Sequence, residues 1–230
     1  FVVKGKSMVA RLHKISAKNF KFTVGAGRLT LIDMRTESAE FESNVAMASD
    51  YVWRGMTQNA GDTSVNVGLD ADLGNGFYVG TWAATVAWGS GHTLEHDYYG
   101  GYAFEMGGIG IDIGTIQVTY NGTTDVDFSE NYVALSLPMN IGLHYSEGDE
   151  LGDYMELSYG MDVGDGSLAI SYGDMDSSNG SADGGSNTTI GYSMAAGDFT
   201  VDLSYSDFSG DTNANGTMAD QDALVLTISM

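Results

Sequence analysis

The stretch "TSVNVGLDADLG", residues 63–74, alternates without a break. Val65, Val67, Leu69, Ala71 and Leu73 fall on one side, while Ser64, Asn66, Gly68, Asp70 and Asp72 fall on the other. A period of two belongs to a strand with one apolar and one polar face, because successive Cβ atoms point to opposite sides of the pleat. The same alternation returns in "NYVALSLPM" (131–139), in "DFTVDLSYS" (198–206), and at Leu224, Leu226, Ile228 and Met230. No apolar face of helical period and useful length accompanies it. The chain reads as all-β.

About twelve such segments are predicted, near 44–54, 63–73, 77–88, 94–106, 109–120, 128–137, 141–146, 153–163, 167–172, 188–195, 198–206 and 223–230. Most are close to the ~9–11 residues a tilted strand needs to cross a bilayer, and longer than the ~5–6 usual in soluble sheets. The connections sort by parity. "GNG" (74–76), "GG" (107–108), "PMN" (138–140), "GDG" (164–166) and "AG" (196–197) are tight. "GMTQNAGD" (55–62), "NGTTDVD" (121–127), "GDMDSSNGSADGGSN" (173–187) and "DFSGDTNANGTMADQD" (207–222) are long and polar. Short turns at one end and long loops at the other are the arrangement of an outer-membrane barrel. A secreted soluble β-sandwich has no reason to sort its loops in this way. The expected fold is therefore an antiparallel transmembrane β-barrel of about 12 strands spanning residues 40–230, located in the bacterial outer membrane.

Charge divides the chain. Residues before 40 hold eight of the nine Lys and Arg against two acids, and residues 40–230 hold Arg54 against twenty-nine acids. The first part, 1–39, reads as a basic leader, either signal-like or disordered. A body this acidic repels phosphates and is poorly suited to nucleic acid. Without cysteine, disulfides and thiolate metal sites are excluded. With the apolar face toward lipid, Asp70, Asp72, Glu130, Glu156 and Asp202 would line the lumen. Tyr51, Trp53, Phe77, Tyr78, Trp88, Tyr145 and Tyr205 would form interface girdles. In "IGIDIGTIQVTY" (109–120) the apolar phase slips from odd to even positions, predicting a β-bulge near Gly114.

The opening segment "SNVAMASDYVWRGMTQ" (43–58), followed by "GFYVGTWAATV" (76–86), resembles the TorF family of porins, also filed as the Gcw conserved hypothetical family. That resemblance, over about residues 41–230, implies an outer-membrane barrel of porin function with no catalytic residues. Strand alternation would place Arg54 at the outer end of the first strand, on the face opposite Tyr51 and Trp53, pairing with carboxylates of the lumen or loops.

Two other patterns carry chemistry in different settings. "HTLEH" (92–96) has the spacing of an inverted zinc-protease motif, but that chemistry needs a helix, and on a strand His92 and His96 would stand about 13 Å apart. Asp211, Asn213, Asn215 and Asp222 fall at the spacing of a calcium loop, with strands in place of the flanking helices. The expected function is passive diffusion of small polar solutes, with cations preferred, through a barrel contacting outer-membrane lipid and lipopolysaccharide and needing no cofactor. The alternative is a non-conducting structural or adhesive barrel whose acidic external loops bind divalent cations such as Ca2+.

Overall fold

The computed structural model describes residues 21–24, 27–30, 40–87, 91–122, 126–149, 152–176, 184–213, 216–217 and 219–230. Its alternating segments pair as twelve antiparallel strands. They are β1 (Glu40–Ala48), β2 (Ser64–Gly74), β3 (Phe77–Thr85), β4 (Leu94–Met106), β5 (Ile109–Tyr120) and β6 (Phe128–Leu137). There follow β7 (Ile141–Gly148), β8 (Gly152–Val163), β9 (Gly166–Asp176), β10 (Gly185–Ala196), β11 (Phe199–Gly210) and β12 (Gln221–Ser229). Each strand pairs with its sequence neighbours, and β12 returns to β1, so the sheet closes. Closure removes the unpaired edges that an open sheet would present to lipid. Before the barrel, Lys21–Val24 pairs with Gly27–Thr30; the other residues before 40 fall outside those described.

Side-chain exposure fixes which face meets the bilayer. Leu69, Leu157, Leu203 and Leu226 are 46–52% exposed, whereas the polar residues beside them, Asn66, Glu156, Ser158, Asp202, Ser204 and Thr227, are buried. Apolar groups thus point out and polar groups point in, the reverse of a soluble core. Outward Phe77, Phe199, Tyr145 and Tyr205 lie near the two ends of this apolar band.

Turn chemistry separates the two ends. The β4–β5 turn places Gly107 and Gly108 at φ 63° and 80°, the double positive φ that lets a two-residue hairpin follow the twist of its strands. The β6–β7 turn passes through Met139 and Asn140, also at positive φ. At the opposite end the connections are longer, except for the one between Gly148 and Gly152.

Two expectations fail. The first strand does not run over 44–54. Ser49 N donates the last bond to Leu226 O at 2.9 Å, and from Asp50 onward the chain leaves the wall and turns into the barrel. Nor is there a bulge at Gly114. The β5 register is unbroken against both β4 and β6; the irregularity lies instead between Asp72 and Gly74, where β2 meets β3. The apolar phase changes in β5 because Ile116 and Val118 point inward to an apolar cluster, while Thr115, Gln117 and Thr119 point outward. Those outward polar groups bond sheet carbonyls: Thr115 Oγ1 donates to Glu130 O, Gln117 Nε2 to Phe128 O and Thr119 Oγ1 to His96 O. Gly114 makes room for a neighbour, since a Cβ there would lie 2.4 Å from the Tyr132 hydroxyl.

Leu203 stands between Phe199 and Tyr205 on the lipid face. Replacing it with Arg should destabilise the barrel by about 2–4 kcal/mol, read as a lowered urea midpoint for folding into lipid vesicles. An unchanged midpoint would mean that this face does not meet hydrocarbon.

Candidate functional site: the lumen and its inward hairpin

Residues 50–58, "DYVWRGMTQ", fold into the barrel rather than out of it. Val52 pairs with Thr57 and Trp53 with Met56, leaving Arg54 and Gly55 as the two-residue turn. Both turn residues have positive φ, 49° and 84°, as a tight hairpin of this kind requires. Asn-Gly is the ordinary choice there. A left-handed arginine costs on the order of 1–2 kcal/mol, so its side chain must recover that elsewhere.

Local bonds shape the hairpin. Thr57 Oγ1 donates to the Asp50 carboxylate at 2.7–2.8 Å, and Gln58 N donates to Tyr51 O at 2.6 Å. Two further bonds hold it to the wall: Thr57 N donates to Gln221 Oε1 at 3.0 Å, and Ala87 N to Gln58 O at 2.8 Å.

Three apolar anchors then seat it. Tyr51 joins Tyr78, Trp82, Tyr99, Val118 and Phe128, with its ring edge-on to Trp82 at 5.5 Å. Met56 joins Tyr154, Met175 and Phe208. Val52 joins Ala48 and Val225. Trp53 packs against both of the first two clusters, with its ring 5.8 Å from that of Phe128. At the tip there is no spare room: a Cβ on Gly55 would lie 2.7 Å from the Asn187 Cβ and 2.9 Å from that of Phe208.

Arg54 crosses the lumen. Its Nη2 lies 2.7 and 2.8 Å from the two Glu130 carboxylate oxygens and donates to Ser146 Oγ at 3.0 Å. Nη1 reaches Met175 Sδ at 3.7 Å. The guanidinium carbon lies 4.0 Å from the Tyr154 ring centre and 4.4 Å from that of Trp53. The arginine is 3% exposed and Glu130 is equally buried. Burying two opposite charges together is costly unless each neutralises and hydrogen-bonds the other, as these two do.

Tyrosine–carboxylate pairs line the same side of the wall. Tyr51 donates to Glu95 at 2.8 Å, Tyr78 to Asp112 at 2.8 Å, Tyr99 to Asp70 and Tyr154 to Glu156 at 3.0 Å. Tyr78 also bonds Tyr132, which stacks on His144. Across the barrel, β9–β12 present Ser171, Thr189, Ser193, Ser204, Ser206 and Thr227, a wall of short hydroxyl side chains. Burial, and next the Glu95 carboxylate, hold the Tyr51 phenol well above its ordinary 10.0, so it remains a donor.

All but one of the lumen and calcium-loop residues expected from the sequence fall among the described residues. Asp70, Asp72, Glu130, Glu156 and Asp202 lie on the inner face. Arg54 also points inward, on a hairpin rather than on a strand. Tyr51, Trp53 and Tyr78 are not girdle residues, because the hairpin carries the first two into the lumen and β3 turns Tyr78 inward. Trp88 falls outside the described residues. Glu95, Asp97, Asp112 and His144 were missed, although strand alternation alone places all four on the inner face. In "HTLEH", His92 is buried edge-on to Tyr120, whereas His96 faces outward and bonds Thr81 Oγ1 at 2.8 Å, so the two do not converge. Of the calcium-loop residues, Asp211 is an exposed residue after β11. Asn213 belongs to a two-residue ladder with Gly216, Asn215 is outside the described residues, and Asp222 sits within β12 opposite Asp207.

The sequence profile of a bacterial family of unknown function, Gcw_chp, matches residues 34–229. The chain belongs to that family. No curated protein matches it in sequence. In fold, the Gcw-family barrel is similar to the KdgM porin, solved in complex with disordered oligogalacturonate. Identity is 7% and the TM-score 0.56, over 83% of this chain and 96% of that one. Weaker similarities are to OccAB4 of Acinetobacter baumannii (10% identity, TM-score 0.41, 73% of this chain and 52% of that one) and to OprD of Pseudomonas aeruginosa (12%, 0.41, 85% and 66%). A closed barrel with a lipid-facing apolar band, in a bacterial family, is a protein of the outer membrane.

Two outcomes test the hairpin. Arg54 is the only Lys or Arg after residue 39, so trypsin cleavage between Arg54 and Gly55 reports its release. Glu130→Gln leaves a buried guanidinium without its counter-charge, a defect worth about 3–5 kcal/mol. Cleavage of the folded barrel there should accelerate roughly tenfold or more, and equal rates would mean the pair does not hold the hairpin. The raised Tyr51 pKa means the folded state retains a proton that the unfolded chain loses near pH 10.0. This stabilisation is full below that pH and falls as pH rises through it. Tyr51→Phe should flatten the alkaline slope of the unfolding midpoint, and an identical slope would remove the phenol from the balance.

Proposed function

We propose that the chain is a narrow outer-membrane channel of the porin type, a TorF-like member of its family, passing small polar solutes and favouring cations. The observation that carries this reading is the charge of the inner face. Asp70, Asp72, Glu95, Asp97, Asp112, Glu130, Glu156 and Asp202 line it, against Arg54 as the one Lys or Arg after residue 39. Rings of carboxylates in a confined passage lower the energy of an entering cation and raise that of an anion. The KdgM porin was solved with oligogalacturonate, a polyanion that an interior of this charge would repel, so the solute class proposed here differs. Residues 1–39 serve as the leader of such a barrel, and the wall works as a passive conduit rather than as an enzyme.

A second reading is favoured by one specific observation. The hairpin fills the lumen between three apolar clusters, as it would in a non-conducting structural or adhesive barrel with acidic loops that bind divalent cations. Planar-bilayer recordings under a salt gradient separate the two. The channel reading expects discrete openings with a reversal potential of cation sign. Silence from both the wild type and a hairpin-released variant such as Glu130→Gln, or a potential of anion sign, would defeat it.

A further inference from the structure

The groups that receive the Arg54 guanidinium come from four adjacent wall strands. Glu130 of β6 supplies two carboxylate oxygens at 2.7 and 2.8 Å, Ser146 of β7 a hydroxyl at 3.0 Å, Tyr154 of β8 a ring at 4.0 Å and Met175 of β9 a sulfur at 3.7 Å. Only Trp53 among the partners travels with the hairpin. A carboxylate and a hydroxyl that accept from the guanidinium, with an aromatic ring against its carbon, select a planar, weakly hydrated guanidinium over a compact, strongly hydrated ammonium. All four wall residues are buried, so the seat is dry while Arg54 fills it.

We propose that this seat is a binding site for solutes bearing an alkylguanidinium group, and that Arg54 is its tethered occupant. A free guanidinium compound competes for the same oxygens and ring, and the hairpin moves aside when it wins. The site rests on the channel reading for its biological sense and names the solute class within it, although its occupancy can be measured without any current. Two features favour exchange over a permanent lock. Release relieves the left-handed backbone at Arg54, φ 49°, and the hairpin is joined to the wall by few backbone bonds. The tethered arginine competes for the same seat, and the apolar anchors of its hairpin raise the concentration of free compound needed to displace it. Displacement is therefore followed in a titration from millimolar upward, kept below the concentrations at which guanidinium denatures proteins.

The test uses methylguanidinium chloride, with methylammonium chloride at equal ionic strength as the control. In the detergent-folded wild type, millimolar methylguanidinium should speed trypsin cleavage after Arg54 severalfold, relative to cleavage of a small peptide in the same solution, and methylammonium should not. In Arg54→Ala the same salt should restore roughly half of the lost unfolding midpoint, and it should restore nothing in the Arg54→Ala/Glu130→Gln double variant. The wild-type measurement stands even if the Ala variant does not fold. Protection from trypsin that is indifferent to methylguanidinium, or equal effects of the two cations, overturns the site. Displacement without ion current in bilayers upholds the site and defeats the channel reading.

Discussion

The ion pair between Arg54 and Glu130 sets the state of the whole lumen. It is the point at which a segment leaving the end of β1 is fastened to the far wall, beside the three apolar anchors that seat the same hairpin. The pair is costly in isolation. An arginine and a glutamate have both left water, and the arginine occupies a backbone conformation that its type avoids. What offsets this is convergence, because one guanidinium satisfies a carboxylate, a hydroxyl and two aromatic faces at once. In a chain so dominated by acids, a single cation placed here relieves the repulsion of the surrounding carboxylates as no second carboxylate or neutral side chain could.

Most of the wall was legible from residues 40–230, because lipid imposes a period of two on every crossing strand. Asp70, Asp72 and Asp202 fall inward by counting alone. The failures occur where the interior is itself apolar. Ile116 and Val118 look like a change of face only if the lumen is assumed to be polar throughout. Tyr51 and Trp53 look like girdle residues only if the strand runs on past Ala48. Alternation cannot reveal an excursion from the wall, since "SDYVWRG" alternates as well inside the barrel as it would along it. A local signal was nonetheless present. Arg-Gly stands where a tight turn would ordinarily take Asn-Gly, and that mismatch between turn chemistry and residue choice marks a side chain retained for a contact elsewhere.

The interior is lopsided in a way that composition could not disclose. Tyrosines and most of the carboxylates gather on β2–β8, and small hydroxyl residues, with Asp202 among them, on β9–β12. The hairpin leans its aromatic residues toward the first group and sets Gly55 against Asn187 and Phe208 on the second. Its tip thus meets the opposite wall at a place where even a methyl group would not fit. The tyrosine–carboxylate bonds brace the aromatic wall from within and leave it polar at the same time.

The closing ladder has a consequence for how the molecule is built. Between β12 and β1 the register covers Thr227 with Ala48, Ile228 with Met47 and Ser229 with Ala46, extended by the bonds between Val45 and Met230 and from Ser49 N to Leu226 O, and it remains shorter than any other junction of the barrel. It also joins the two barrel strands farthest apart in sequence, and so carries the largest loop-closure entropy. Val52 packs on Ala48 from one side of this junction and Val225 from the other, while Thr57 bonds Gln221 of β12. The hairpin is therefore also a clasp. It gives the first strand a second hold on the last, so that the same few residues both close the cylinder and occupy its centre.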